Sequence, residues 1–282
     1  MIRRIAALGD STSCGEGVGL RVPSGATWPA RLAAATPGAE LVPLAVAGAR
    51  LRDVRSAQVT AALDSGADVI TLLIGLNDVS RAGFDRRIYA EQLAEVVAAL
   101  RDTGALLLLG RLHDATAVLP LPPGLRDVVR ARTAAVNEAA DACAGDRVHL
   151  LDLAALPALR MRRAWDVDRV HPNVAGHALI AEAAARVLRG ADCQIGPVRQ
   201  QRLPPAPGPL REATWVLRHG LPWLGGHLPQ VVLPAVASAV RMRGQPGSAS
   251  TRPPVVSQAA VERVPAWTSS AVERKSRGPA GI

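Results

Sequence analysis

Aromatic rings are nearly missing from this 282-residue chain, which has one Phe, one Tyr and five Trp. A groove that stacks unpaired bases needs several such rings along its length, so no nucleic-acid partner is expected. Cysteine is scarce as well. Cys14, Cys143 and Cys193 lie far apart with no CxxC or Cys/His ligand spacing, which argues against a structural zinc and a disulfide framework and reads each as a small buried hydrophobe. The apolar run 228–240 is too short to span a bilayer and is broken by Pro229 and Pro234. Residues 1–8 hold two arginines and no apolar stretch of secretory length before Gly9, so a cytoplasmic protein is expected.

What is present is an aliphatic core in the making. Nearly half the residues are hydrophobic, 49%, and the length suits one compact unit with an appendage. The formal charge of +9 is unevenly spread: residues 1–197 carry a net +1 and residues 198–282 a net +8. Basicity therefore belongs to the tail.

Five short apolar runs, at 2–8, 41–47, 69–74, 105–109 and 148–153, read as buried strands. Helical spacing fills the gaps, most clearly at Ile88, Leu93, Val96, Val97 and Leu100, with Gly104 as the stop. Strands alternating with helices imply an α/β fold whose parallel sheet is covered on both faces. After about Cys193 the pattern changes, with 13 of the 22 prolines in residues 197–282, a density that a packed parallel sheet excludes. The expected division is a globular domain at 1–195 and a basic, Pro/Arg-rich C-terminal extension at 196–282, partly helical to about 242 and disordered beyond.

Ligands of an open parallel sheet bind beyond the carboxyl ends of its strands, so the residues just after each run carry the chemistry. After the first come Gly9, Asp10 and Ser11; after the second, Gly48; after the third, Gly75, Leu76, Asn77 and Asp78; after the fifth, "WDVDRVHPN" at 165–173. A serine hydroxyl is a poor nucleophile without a base beside it. His171 is the candidate base, and Asp168, three residues earlier, can fix its tautomer and stabilise the imidazolium. Pro172 pushes His171 toward extended backbone, with the last helix starting near Asn173. An oxyanion needs neutral donors, for which the backbone N–H groups of Ser11 and Gly48 and the side-chain amide of Asn77 are the candidates. Asp10 reads as a brace of the nucleophile turn, and Thr12 and Ser13 as residues that satisfy it. His113, His149, His177, His219 and His227 read as structural or solvated, although His113 with Asp114 would border a pocket. Pocket walls are expected from 79–85 and from 113–124, where Val118, Leu119 and Leu121 lie among prolines.

Together, GDS at 9–11, the glycine at 48, GxND at 75–78 and DxxHP at 168–172 resemble the SGNH hydrolase family, the GDSL lipases and esterases. Residue 12 is Thr where the GDSL name has Leu. The resemblance covers about residues 1–190. It implies a flavodoxin-like three-layer α/β/α sandwich with a five-stranded parallel sheet, Ser11, Asp168 and His171 as the triad, an oxyanion hole from Ser11, Gly48 and Asn77, a small-molecule ester as substrate, and no metal or organic cofactor. Two other readings stay open on the residues alone. One is a nucleotide- or flavin-binding module, against which stand the lack of a P-loop lysine and the acids Asp10 and Glu16 in the loop. The other is an interaction protein acting through its tail, where Trp215, Trp223 and the arginines would meet an anionic membrane surface or dock on the globular part.

Overall fold

The computed structural model describes residues 1–81 and 83–222. Its strands are β1 (Arg4–Gly9), β2 (Glu16–Gly17), β3 (Leu20–Arg21), β4 (Glu40–Pro43), β5 (Val69–Leu73), β6 (Leu106–Arg111) and β7 (Val148–Asp152). Its α-helices are α1 (Ser11–Cys14), α2 (Trp28–Ala35), α3 (Leu51–Asp53), α4 (Val59–Asp64), α5 (Leu76–Val79), α6 (Arg86–Arg101), α7 (Pro123–Cys143), α8 (Val174–Gly190) and α9 (Pro209–Trp215). The expected helix at 223–242 and the disorder beyond it lie outside the described residues.

β4, β1, β5, β6 and β7 form one parallel sheet in that order. Counting only these five strands, the order is 2-1-3-4-5, that of the flavodoxin-like fold. Burial explains the composition: every residue of Val69–Leu73 is buried, as expected of a strand covered by helices on both faces. α2 packs on α8, while α6 lies against α4 and α7 on the other side. The fold is thus the expected three-layer sandwich. The expected strand at 41–47 is cut to Glu40–Pro43, because proline donates no ladder hydrogen bond and belongs at a sheet edge. Residues 44 and 46 still donate backbone bonds to Ala7 and Gly9, at 2.9 and 3.1 Å. The short β2–β3 hairpin was not anticipated, since two-residue strands carry no readable periodicity. The three cysteines are free and half-buried, so their burial falls short of the expectation.

α6 starts on Asp85, whose Oδ1 accepts from the backbone N–H of Arg87 and Ile88 at 2.8 and 3.0 Å, a regular N-cap. The join between α2 and α8 uses a less common device. Trp28 is the first residue of α2, where a backbone N–H has no intrahelical acceptor. It donates instead to Nδ1 of His177 at 3.1 Å, and His177 is 1% exposed. Burial, with Arg31 and His171 nearby, pushes this imidazole down to about 3, so it stays neutral and keeps its lone pair for the helix.

A depressed histidine disfavours folding wherever the unfolded chain takes up the proton first. Stability linked to His177 is therefore full above about 6.5 and is lost as pH falls toward about 3. Denaturant unfolding of the wild type should weaken across that range by up to about 1.4 kcal/mol per pH unit more steeply than that of His177→Gln; parallel curves would refute the linkage.

Candidate active site

The turn that carries Ser11 is set by what β1 runs into. At Gly9, with φ 131°, a Cβ would collide with the carbonyl oxygen of Leu73 on β5, so no other residue fits without moving the sheet. The strand's last backbone groups are closed by a side chain: Gln58 accepts from Gly9 N–H at 2.8 Å and donates from Nε2 to its carbonyl at 2.9 Å. Asp10 follows in extended backbone and caps α1, accepting from the N–H of Thr12 at 2.9 Å. Ser11 thereby occupies the first helical position, where its own N–H has no acceptor within the helix. Thr12 serves the turn through its backbone. Ser13 does so too, its backbone N–H donating to Asp10 O at 2.9 Å, while its buried Oγ has no partner among the described residues.

The second component is the loop leading into α8. Asp168 Oδ1 accepts from the backbone N–H of Val170 and His171, each at 3.0 Å, a local turn of the kind aspartate favours. Its other oxygen contacts His171 Nδ1, and His171 Nε2 lies 2.8 Å from Ser11 Oγ. Asn173 caps α8 as its position suggests, accepting from Ala175 and Gly176 N–H at 3.0 Å each. Its amide also donates to the carbonyls of Arg163 and Trp165, at 2.8 and 3.2 Å, which ties the helix start to the loop. The β2–β3 hairpin closes the far side of the ring: a Cβ on Gly17 would lie 2.7 Å from His171 Nδ1.

The third component faces them from β4 and β5. Gly48 has φ 76°, and nothing lies within 4 Å of where its Cβ would be, so the backbone there is open to an incoming group. Asn77, in α5, donates from Nδ2 to Ala49 O at 3.0 Å and to Asp10 Oδ2 at 3.3 Å. One amide thus links the residue before the serine to the residue after the glycine. Its two protons already have acceptors here, so donation to a substrate oxygen means sharing or displacing the longer bond.

Burial dominates the electrostatics of this edge. Asp10, 2% exposed, is pushed up to about 6 by desolvation, which bonds from Thr12 and the nearness of His171 only partly oppose. Asp78, which accepts from Leu51 N–H at 3.2 Å, is pushed up to about 7 by burial and by the neighbouring Asp10. Around His171 the balance tips the other way. Burial alone would lower the imidazole, but the Asp168 bond and charge raise it above its ordinary value; burial is also the largest single influence on Asp168, yet the His171 bond and charge together with the backbone bonds from His171 and Val170 outweigh it and hold the carboxyl low.

The remaining sequence candidates fall around this centre. His113 is buried and stacked on Trp165 with ring centroids 4.3 Å apart; desolvation drives it down to about 4. Asp114 accepts from Thr116 N–H at 2.9 Å and faces Arg130 at 3.3 Å. Val118, expected in a pocket wall, belongs to the hydrophobic core at 6% exposed, while Leu119 and Leu121 are half-buried. Among the described residues no three His, Cys, Asp or Glu side chains form a group that could hold a metal ion, and no helix is long and apolar enough to cross a membrane.

The sequence pattern of the GDSL-like Lipase/Acylhydrolase family matches residues 7–179, from within β1 to the first part of α8. The chain belongs to this family. A GDSL-like esterase of Mycobacterium tuberculosis is 29% identical over 165 residues, covering 55% of this chain and 50% of that protein. The chain thus spans about half the length of the curated relative it matches. An acetyl xylan esterase from Geobacillus stearothermophilus superposes with a TM-score of 0.52 at 21% identity, covering 70% of this chain and 97% of the other. The esterase EstA of a Pseudoalteromonas species gives 0.52 at 17% identity, with 67% and 98% covered. At such identities these likenesses concern the fold.

Gln58 was missed by motif reading because it lies between Val54 and Val59 in a helical stretch that also holds the polar Arg55, Ser56 and Thr60, with nothing in sequence to mark its amide as buried. Replacing it by leucine leaves the Gly9 N–H without a partner and its carbonyl with the Val46 N–H alone, which costs about 1–3 kcal/mol. Denaturant unfolding of Gln58→Leu should lose that much, and a loss under about 0.5 kcal/mol would mean that water or the backbone closes the gap.

Proposed function

We propose that the protein hydrolyses a small-molecule carboxylic ester through an acyl-enzyme intermediate, with Ser11 as nucleophile, His171 as base and then acid, and Asp168 as the group that orients His171. The observation that carries this reading is the continuous path from Ser11 Oγ to Nε2 of His171 at 2.8 Å, with Asp168 on the opposite ring nitrogen. Ser11 attacks the acyl carbonyl as His171 takes its proton; His171 protonates the leaving alcohol, and a water activated by the same ring releases the acid. Asp168 keeps the Nδ1 proton in place, so the ring offers its lone pair to the serine.

In the same scheme the N–H groups of Ser11 and Gly48 and the amide of Asn77 receive the oxyanion. The scheme is supported by the unblocked backbone at Gly48 and by the bonds of Asn77 to the neighbours of both other donors. No metal or organic cofactor takes part. Val46, 58% exposed, and Val18, 37% exposed, stand two residues before Gly48 and one after Gly17, and offer apolar contact to a short acyl or alcohol group. An acetyl ester, as the name of the Geobacillus relative suggests, is within that class. A catalytic domain at 1–195 with residues 196–282 as an extension remains part of this proposal.

Ser11→Ala should abolish labelling by an organophosphonate probe and ester hydrolysis together; labelling that persists would assign the nucleophile elsewhere. Because His171 must be neutral to act as base and its ring is raised above 6.5, the acid limb of kcat/KM should lie above 6.5. Asp168→Asn should lower kcat by about 10³–10⁴-fold and move that limb to lower pH.

A further inference from the structure

The stretch after α8 is not remote from the chemistry. Glu212 in α9 receives Arg162 Nε and Nη2 on Oε1 at 3.0 and 2.7 Å, and Arg169 Nη2 on Oε2 at 2.6 Å. Both arginines belong to the loop that carries Asp168 and His171, one on each side of Asp166. The three side chains are only 17%, 31% and 21% exposed for Arg162, Arg169 and Glu212, far from the solvated surface pairs that contribute little. Burial would raise the Glu212 carboxyl, but the two guanidinium bonds reverse this and hold it low.

Each arginine passes the contact on to the loop. Arg162 Nη1 donates to the carbonyls of Trp165 and Asp166 at 3.0 and 2.7 Å, and its Nη2 to Val167 at 3.3 Å. It thus grips the backbone immediately before Asp168. Arg169, between Asp168 and His171, has φ 63°, a left-handed conformation that a non-glycine residue adopts at a cost of about 1–2 kcal/mol. Its Nη1 donates to Val118 O at 3.2 Å, so Val118 on one side and Glu212 on the other hold the strained residue. The helix is anchored independently, with Trp215 Nε1 donating to Val18 O at 3.1 Å, next to the Gly17 that packs on the His171 ring.

We infer that Glu212 is a positioning residue for ester hydrolysis: through Arg162 and Arg169 it fixes the loop geometry that presents His171 to Ser11, and so makes the segment around 209–215 part of the catalytic unit. The inference rests on the triad reading above. A displacement near 1 Å of a reacting group costs up to about a hundredfold in rate, and the loop's own backbone ties are few, chiefly Asp166 N–H to His171 O at 2.8 Å and Asn173 N–H to Ala164 O at 3.0 Å.

The test uses the full chain with Glu212→Ala and Glu212→Gln, each titrated with an organophosphonate to count competent sites, and a short-chain nitrophenyl ester as substrate. Turnover per titrated site should fall about ten- to a hundredfold in Glu212→Ala with KM nearly unchanged. The acid limb of kcat/KM should move to lower pH as His171 loses part of its contact with Asp168, and Glu212→Gln, which keeps an acceptor, should fall between. Wild-type turnover and an unmoved limb in both variants overturn the inference. So does a loss confined to the number of titrated sites, which would mean that Glu212 merely stabilises the fold. Ser11→Ala run alongside separates the two levels: hydrolysis surviving in it strikes the triad reading itself, whereas an inactive Ser11→Ala beside a normal Glu212→Ala strikes only the role of Glu212.

Discussion

The site depends on β1 ending flush against β5. Gly9 faces the Leu73 carbonyl with no room for a side chain, so the chain must leave the sheet at that residue and in one direction. That exit turns Asp10 into a cap and Ser11 into the first residue of a short helix at the junction where the strand order reverses. An open parallel sheet has its crevice at this junction. Asn77, after β5, and Gly48, after β4, border the same crevice because their strands are the two neighbours of β1.

Asp168 and His171 reach the crevice by a different route, from an irregular loop after the far strand β7. Local turn chemistry shapes the three residues around Asp168, a few backbone bonds join the two arms of the loop, and side chains hold the rest: Asn173 at the cap of α8, Arg162 from within, and Glu212 from α9. The serine is thus set by the sheet, whereas the imidazole is set by a network of polar bonds. The latter is where substitution distant from the reacting atoms would be felt.

Strands and helices could be read from the chain because apolar runs and helical spacing are local signals, and the motif residues because they follow strand ends at fixed order. What escaped reading was the set of partners that hold those residues. Gln58 meets Gly9 across 49 positions and Arg162 meets Glu212 across 50, and neither pair shares a local pattern. The expected length of the second strand failed at Pro43, where a missing donor outweighed an apolar run. Val118 was placed in a wall on its neighbours' composition, whereas its burial follows from the turn after β6, which points it into the core.

Gln58 has a counterpart in Asn137, whose side chain accepts from Leu112 N–H at 2.7 Å and donates to its carbonyl at 2.9 Å, just past the end of β6. Two strand ends are therefore sealed by uncharged carboxamides, groups that neither gain nor lose a proton in water. The backbone behind the serine is insulated from acidity in a way the loop acids are not, so a change of pH alters which atoms carry protons at the crevice while leaving the ledge beneath them where it was.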